Sequence, residues 1–408
     1  MRLVSRLFRL VWGGDVDRAL RPVLAVSLAG SIAGSAGYPF IGIWALRHLH
    51  AGEGRLAFTY LLSAMASGVV GYVGGHLSDR LGRRPLILAG WGGQALCAPA
   101  LFLVGTHVWA GLAVAGAFPA LGALGNAADQ AIVADLVPPE RHESAYASVR
   151  VASNLGVSLG PPLGGLLLIG SDWSRLWLGV TVLAVVAWAI GYRYVPSGGH
   201  FVSDTPPRAG SLRIILRDRP FLLFMASSML ATMTYIAYET LLPISITTAH
   251  GISPATWGFL VIVNPIFVTF LQLRLTQAAS SIPAALKLGV AMPLMGVPFL
   301  LLDVGSGVTV VLCVVVLFVI GEMLWVPTSQ AVVAALAPAD LRGTYMGVFG
   351  SSWSVGWALT PFLGLQVRHA YGDSTMWVCV AVVGVLAGVF GLLAVRGRDT
   401  GTAVASPA

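Results

Sequence analysis

Residues 75–85 read Gly75-His76-Leu77-Ser78-Asp79-Arg80-Leu81-Gly82-Arg83-Arg84-Pro85. Three arginines stand in this short stretch, and apolar runs flank it near 56–77 and 85–105. Each run has the length of about 20 residues that a helix needs to cross the hydrocarbon core of a bilayer. So short a charged stretch between two such runs is a loop at a membrane face, and its arginines mark the cytoplasmic side. Gly75 and Gly82 suit a chain that must turn sharply there.

The rest of the chain repeats this pattern. Of its 408 residues, 56% are hydrophobic and only 10% charged, whereas a soluble domain carries about 25% charged residues. Such a chain cannot cover a water-facing surface with polar groups, so lipid must be its main solvent. The 49 glycines fit helices that approach one another closely. Twelve spanning helices are predicted, near 22–47, 56–77, 85–105, 108–135, 145–169, 174–195, 221–248, 254–277, 283–302, 307–335, 344–368 and 374–395. The expected fold class is therefore an all-α membrane protein.

Composition also excludes some functions. The formal charge of +7 is spread over short loops and does not form a nucleic-acid-binding face. Cys97, Cys313 and Cys379 all lie inside apolar runs, so neither a disulfide framework nor a metal site is expected. No nucleotide-binding loop, zinc-protease motif or nucleophile elbow is present. The reading is of a non-enzyme with no cofactor. Residues 1–21 are rich in arginine and no small-residue cleavage site follows, so no cleavable signal peptide is expected.

With both termini cytoplasmic, the outer loops carry only Arg47, Arg55, Arg175 and Arg368. The other basic residues fall on the inner side or at inner helix ends, which sets the orientation and supports an even helix count. The longest inner loop contains Pro206, Pro207 and Gly210. It divides the chain into an N-terminal bundle (1–195), a cytoplasmic linker (196–220) and a C-terminal bundle with a short cytoplasmic tail (221–408). The halves resemble each other: Gln130-Ala131-Ile132-Val133-Ala134-Asp135-Leu136-Val137-Pro138 reads against Gln330-Ala331-Val332-Val333-Ala334-Ala335-Leu336-Ala337-Pro338. After a one-residue slip, Tyr146, Pro162 and Gly165 answer Tyr345, Pro361 and Gly364. A parallel repeat of this kind describes two bundles related by an axis along the membrane normal, with substrate bound between them.

The stretch 75–85 resembles motif A of the major facilitator superfamily, G-x-x-x-D-R-x-G-R-R, at every fixed position. Residues Gly156-Val157-Ser158-Leu159-Gly160-Pro161-Pro162-Leu163-Gly164-Gly165 are similar to its motif C, typical of drug:proton antiporters. The resemblance covers nearly the whole chain and implies twelve transmembrane helices in two pseudo-symmetric six-helix bundles. It also implies that Gly75, Asp79, Arg80, Gly82, Arg83, Arg84 and Asp135 form a gating latch, in which Arg83 reaches Asp135 and Asp79 meets a helix end of the other half. Motif B would place an arginine in helix four, and the stretch 118–126 has none. The second-half counterpart of motif A is reduced to Arg274, and Ala335 stands where the first half has Asp135, so one latch is expected, in the N-terminal half.

Charge at membrane depth is costly, at least about 2.5–3.5 kcal/mol even on insertion scales. Glu239 in helix seven and Glu322 in helix ten nevertheless lie within apolar runs. Removal from water favours the neutral form of a carboxyl group, as a proton carrier requires. Both segments resemble the acid-bearing helices of multidrug:proton exporters, which implies that Glu322 and Glu239 couple transport to protons. Gly122 is the first-half position that answers Glu322. A structural reading, in which both are protonated and hydrogen-bonded within the bundle, stays open.

Tyr38, Asn126, Asp129, Arg150, Asn154, Tyr235, Tyr238, Asn264, Trp325, Trp353 and Trp357 are the candidate lining of a substrate cavity. Aromatic walls with few polar groups suit amphiphilic or cationic organic molecules. Arg150 is expected to pair with Asp129 across helices four and five, the alternative being contact with an anionic substrate. Trp173 and Trp177 read as anchors at an outer interface.

These features point to a secondary transporter exporting lipophilic or cationic small molecules in exchange for protons. It is expected to work as a monomer, multi-pass in the cytoplasmic (inner) membrane of a bacterium. Its partners are a small-molecule substrate, protons and the lipid bilayer, with no nucleic acid. Alternatives are a transporter dedicated to one metabolite or antibiotic, and a non-transporting sensor or lipid-handling protein.

Overall fold

The computed structural model describes residues 18–138, 142–170, 172–196, 214–338 and 342–396. In the first half, α1 (Arg21–Arg47), α2 (Glu53–Leu81), α3 (Arg83–Leu103), α4 (Val108–Leu136), α5 (His142–Leu167) and α6 (Trp173–Tyr194) follow one another. The second half continues with α7 (Arg219–Thr248) and a broken helix, α8a (Pro254–Leu260) and α8b (Val263–Ala278). Then come α9 (Ala284–Gly296), extended by tight turns to Val304, α10 (Val308–Leu336), α11 (Arg342–Tyr371) and α12 (Asp373–Val395).

Helix is what lipid demands, because each backbone N–H and C=O must find a partner within its own segment. Among the described residues, ten helical segments are long and apolar enough to cross a membrane. The other two long helices, α5 and α11, reach 26 and 30 residues but carry more polar sequences, rich in serine and glycine. Ten of the twelve expected spans thus stand on length and composition. Large apolar side chains such as Leu96, Val182 and Phe270 are exposed on α3, α6 and α8b. Lipid is their natural solvent.

The chain forms two compact units. The first comprises Met1–Asp204 with Ile246–Pro265, and the second Thr205–Ser245 with Ile266–Ala408. In the first, α1 packs on α5 and α6, α4 on α2 and α3, and α8a on α5. Leu24, Ile87, Ile132 and Ala152 are fully buried where α1, α3, α4 and α5 meet. In the second, α9 packs between α10 and α12, and α12 also meets α11. One network ties the ends of α7, α11 and α12: Arg368 and Ser245 both bond Asp373 at 2.5 Å, and the Trp377 indole donates to Asp373 at 3.2 Å.

Candidate functional site

The arginine stretch forms a turn of a single residue. α2 ends at Leu81 and α3 begins at Arg83, so Gly82 caps both, with φ of 89°. That is a left-handed conformation open to glycine at no steric cost. The turn directs Arg83 back into the unit. Its Nε donates to Asp135 of α4 at 2.9 Å, with the two side chains only 8% and 9% exposed. Its Nη1 donates to the buried Ser78 hydroxyl at 2.8 Å. Arg84 donates to the Tyr192 carbonyl of α6 and lies over that tyrosine's ring at 5.7 Å. Arg80 is exposed. The surroundings of Gly75 and the side chain of Asp79 lie outside what the structure describes.

A buried ion pair loses far more when one partner goes than when both do. Asp135→Ala is therefore expected to cost about 3–5 kcal/mol of stability by stranding Arg83. An Arg83→Leu, Asp135→Leu double variant is expected to recover most of that in thermal unfolding of the purified protein.

The glycine-rich stretch of α5 is a seam with two faces. Gly156, Gly160 and Gly164 recur every four residues and meet α1. A Cβ on Gly156 would lie 2.7 Å from the Leu28 carbonyl, on Gly160 2.7 Å from the Ala36 nitrogen, and on Gly164 2.2 Å from the Ala36 carbonyl. Ser35 donates to Gly156 O at 3.2 Å across the same seam. Gly165 turns to α8a instead, where a Cβ would meet the Ala255 carbonyl at 2.8 Å. Gly258 faces back, and a Cβ there would meet the Pro161 carbonyl at 2.7 Å. Close backbone approach of this kind is what drives helix association in lipid.

In the second unit, Tyr235 of α7 is the centre of an aromatic cluster. Its ring centroid lies 5.0 Å from Trp353 of α11, 5.7 Å from Phe318 and 6.3 Å from Trp325 of α10. Tyr238 stacks on Phe318 at 4.2 Å, and Trp325 lies 5.9 Å from Trp353. Glu239 and Glu322 are half-buried, and both lie within electrostatic reach of Tyr235 and Tyr238. Two carboxyl groups and five aromatic side chains from three helices thus share one region. The Trp325 indole N–H, 1% exposed as a residue, and the Ser329 hydroxyl one turn on have no hydrogen-bond partner among the described residues.

A sequence profile of the Major Facilitator Superfamily matches residues 23–361. The chain belongs to this superfamily. It is 21% identical over 384 residues to a Na(+), Li(+), K(+)/H(+) antiporter of Planococcus maritimus, covering 86% of this chain and 89% of that one. It is 23% identical over 325 residues to multidrug resistance protein MdtH of Shigella boydii serotype 4 (strain Sb227), covering 78% and 79%. The crystal structure of a mutant of peptide transporter POT in complex with sulfate superposes with a TM-score of 0.75 at 16% identity, covering 93% of this chain and 94% of that one. That likeness shows the fold alone. The protein is a multi-pass membrane transporter with a small-molecule substrate, not an enzyme.

The other expected lining residues of this facilitator fall in both units. Tyr38 and Asn264 are half-buried in the first unit, Asn154 is exposed on α5, and Trp357 is half-buried on α11. The side chain of Asn126 lies outside the described residues. The expected Asp129–Arg150 pair is not present. Asp129 turns into the unit beside Trp91 of α3, 8% exposed, whereas Arg150 stands on the exposed face of α5. Helix rotation points the two apart. Trp177 is not an interfacial anchor: it is 1% exposed and packs edge-to-face on Trp44 at 5.5 Å. Gly37 leaves the space for its ring, with a would-be Cβ 3.2 Å from Trp177.

Sequence reasoning missed Phe318, the aromatic under Tyr238, because one more phenylalanine in an apolar helix carries no signal. It also missed Gln94, which donates to the Phe118 carbonyl at 3.2 Å and fills the space beside Gly122. An amide inside the run 85–105 was the available sign.

Proposed function

We propose that this facilitator exchanges protons for lipophilic or cationic organic molecules and moves them outward by alternating access. The observation that carries the reading is the meeting of Glu239 and Glu322 with Tyr235, Tyr238, Trp325 and Trp353. Aromatic faces attract organic cations, the more so when water is excluded. A half-buried carboxyl group beside them accepts either a proton or the neighbourhood of a cation, and the two compete. That competition is what couples two fluxes in opposite directions. The names of two relatives, a cation/proton antiporter and a multidrug resistance protein, support the same reading.

Gating is assigned to the first half, through the Arg83–Asp135 pair and the motif A residues around it, and protonation to the second. The transporter is proposed to act as a monomer in the bacterial inner membrane, with both termini cytoplasmic.

The test is flux. The purified protein is reconstituted into proteoliposomes, and movement of tetraphenylphosphonium and a panel of neutral lipophilic compounds is followed with and without an imposed proton gradient. Gradient-dependent flux is expected for the cation. Its absence across the whole panel overturns the antiport reading.

A further inference from the structure

Pro327 stands in the interior of α10. Proline has no backbone N–H, so the carbonyl four residues earlier loses its helical partner. That carbonyl belongs to Met323, the neighbour of Glu322. In lipid an orphaned carbonyl finds no water and must be satisfied from within the protein. Gln272 of α8b does this: its Nε2 donates to Met323 O at 2.9 Å. The same amide nitrogen donates to Thr276 Oγ1, one turn along α8b, at 3.0 Å. Both hydrogens of the amide are thereby used, and the side chain has one orientation. Beside Pro327 lies a cavity of about 140 Å³ lined by Thr276, Lys287, Met323, Pro327 and Thr328.

We propose that Gln272 is a positioning residue for Glu322: its amide replaces the N–H that Pro327 lacks, and so fixes the bend that aims Glu322 at the aromatic cluster. The assignment to Glu322 rests on the proton-exchange reading, while the bond itself does not. A glutamine in an apolar span is expensive unless it is used, and here both of its donors are used. The cavity gives the bend room to relax once the amide is gone, which a close-packed kink would not. The titratable groups around this stretch of α10 are Tyr235, Tyr238 and Glu239 on α7 and Lys287 on α9. None of them is altered by the variants that test the idea.

The test is a double-variant cycle on the full chain: Gln272→Leu, Pro327→Ala, and both together. Pro327→Ala returns an N–H to the helix, so Met323 O no longer needs Gln272. Two quantities are read, the thermal unfolding midpoint in detergent and the pH profile of tetraphenylphosphonium transport in proteoliposomes. Gln272→Leu is expected to lower the unfolding midpoint and to move the midpoint of the pH profile by about half a unit or more. Adding Pro327→Ala is expected to restore the pH profile to that of Pro327→Ala alone. An unmoved profile in Gln272→Leu, or an equal shift that persists in the double variant, overturns the positioning role. Should Gln272→Leu fail to fold, a folded double variant supports the bond and an unfolded one overturns it. If the wild-type protein shows no gradient-dependent flux, the exchange reading has failed, and the unfolding midpoints still decide the bond. Losses that are not additive support it, and additive losses overturn it.

Discussion

Glu322→Gln is expected to abolish proton-driven accumulation of a lipophilic cation while leaving exchange of labelled for unlabelled cation in place. Glutamine keeps the size and hydrogen-bonding capacity of the protonated acid but can neither bind nor release a proton. For one proton per cycle, a gradient of one pH unit supports about a tenfold concentration ratio. The variant's ratio is expected to fall to the level of empty liposomes. Exchange survives because the aromatic surfaces that hold the cation, Tyr235, Trp325 and Trp353, are unchanged. Glu239→Gln is the companion measurement. Glu239 lies on a different helix but near the same two tyrosines. The variant that removes accumulation identifies the main proton carrier. Undiminished accumulation by Glu322→Gln would end the coupling role given to that residue.

The second large effect is expected from one methyl group. Gly160→Ala places a Cβ 1.9 Å from the Ser35 hydroxyl and 2.7 Å from the Ala36 nitrogen. The hydroxyl belongs to a serine side chain that already bonds the Ser31 carbonyl at 2.5 Å. It could rotate away, but the backbone nitrogen could move only with all of α1. Membrane helices have no hydrophobic drive to associate, so close packing is most of what joins α1 to α5. Overpacking at such a contact costs about 1–3 kcal/mol, occasionally more. The expected result is a lowered unfolding midpoint and a poor yield of monodisperse protein. Gly34→Ala, on the α1 side of the same pair of helices, is the control, because nothing lies within 4 Å of its would-be Cβ. It is expected to be neutral or slightly stabilising, since alanine favours helix by about 1 kcal/mol over glycine. Equal behaviour of the two variants would refute the seam.

Reading along the chain served well where a signal is local. Apolar length announces a span, because lipid sets the length. A short arginine stretch between apolar runs announces a turn, and the acid it reaches is the one at the facing end of α4, Asp135. The failures share a cause. Asp129 and Arg150 are opposite charges on successive helices, and Trp177 stands near a loop in the sequence. Both depend on the rotation of a helix about its axis. In a helix apolar all round, sequence carries little information on rotation, because lipid and protein interior are alike to a leucine.

Sequence alone determined the solvent of this protein, ten of its spans and their order, the turn at Gly82 and the presence of two acids within apolar helices. Each is a property of one segment and its immediate solvent. Tertiary structure alone decided which helices share those acids' surroundings, that Gly156, Gly160 and Gly164 face α1 while Gly165 faces α8a, and that Gln272 supplies the hydrogen bond Pro327 withholds. These depend on helix rotation and approach, settled by the packing of side chains far apart in sequence. The arginines of 75–85 show both: their place at a turn between two apolar helices follows from the sequence, and the partner of Arg83 from the way α4 lies against α3.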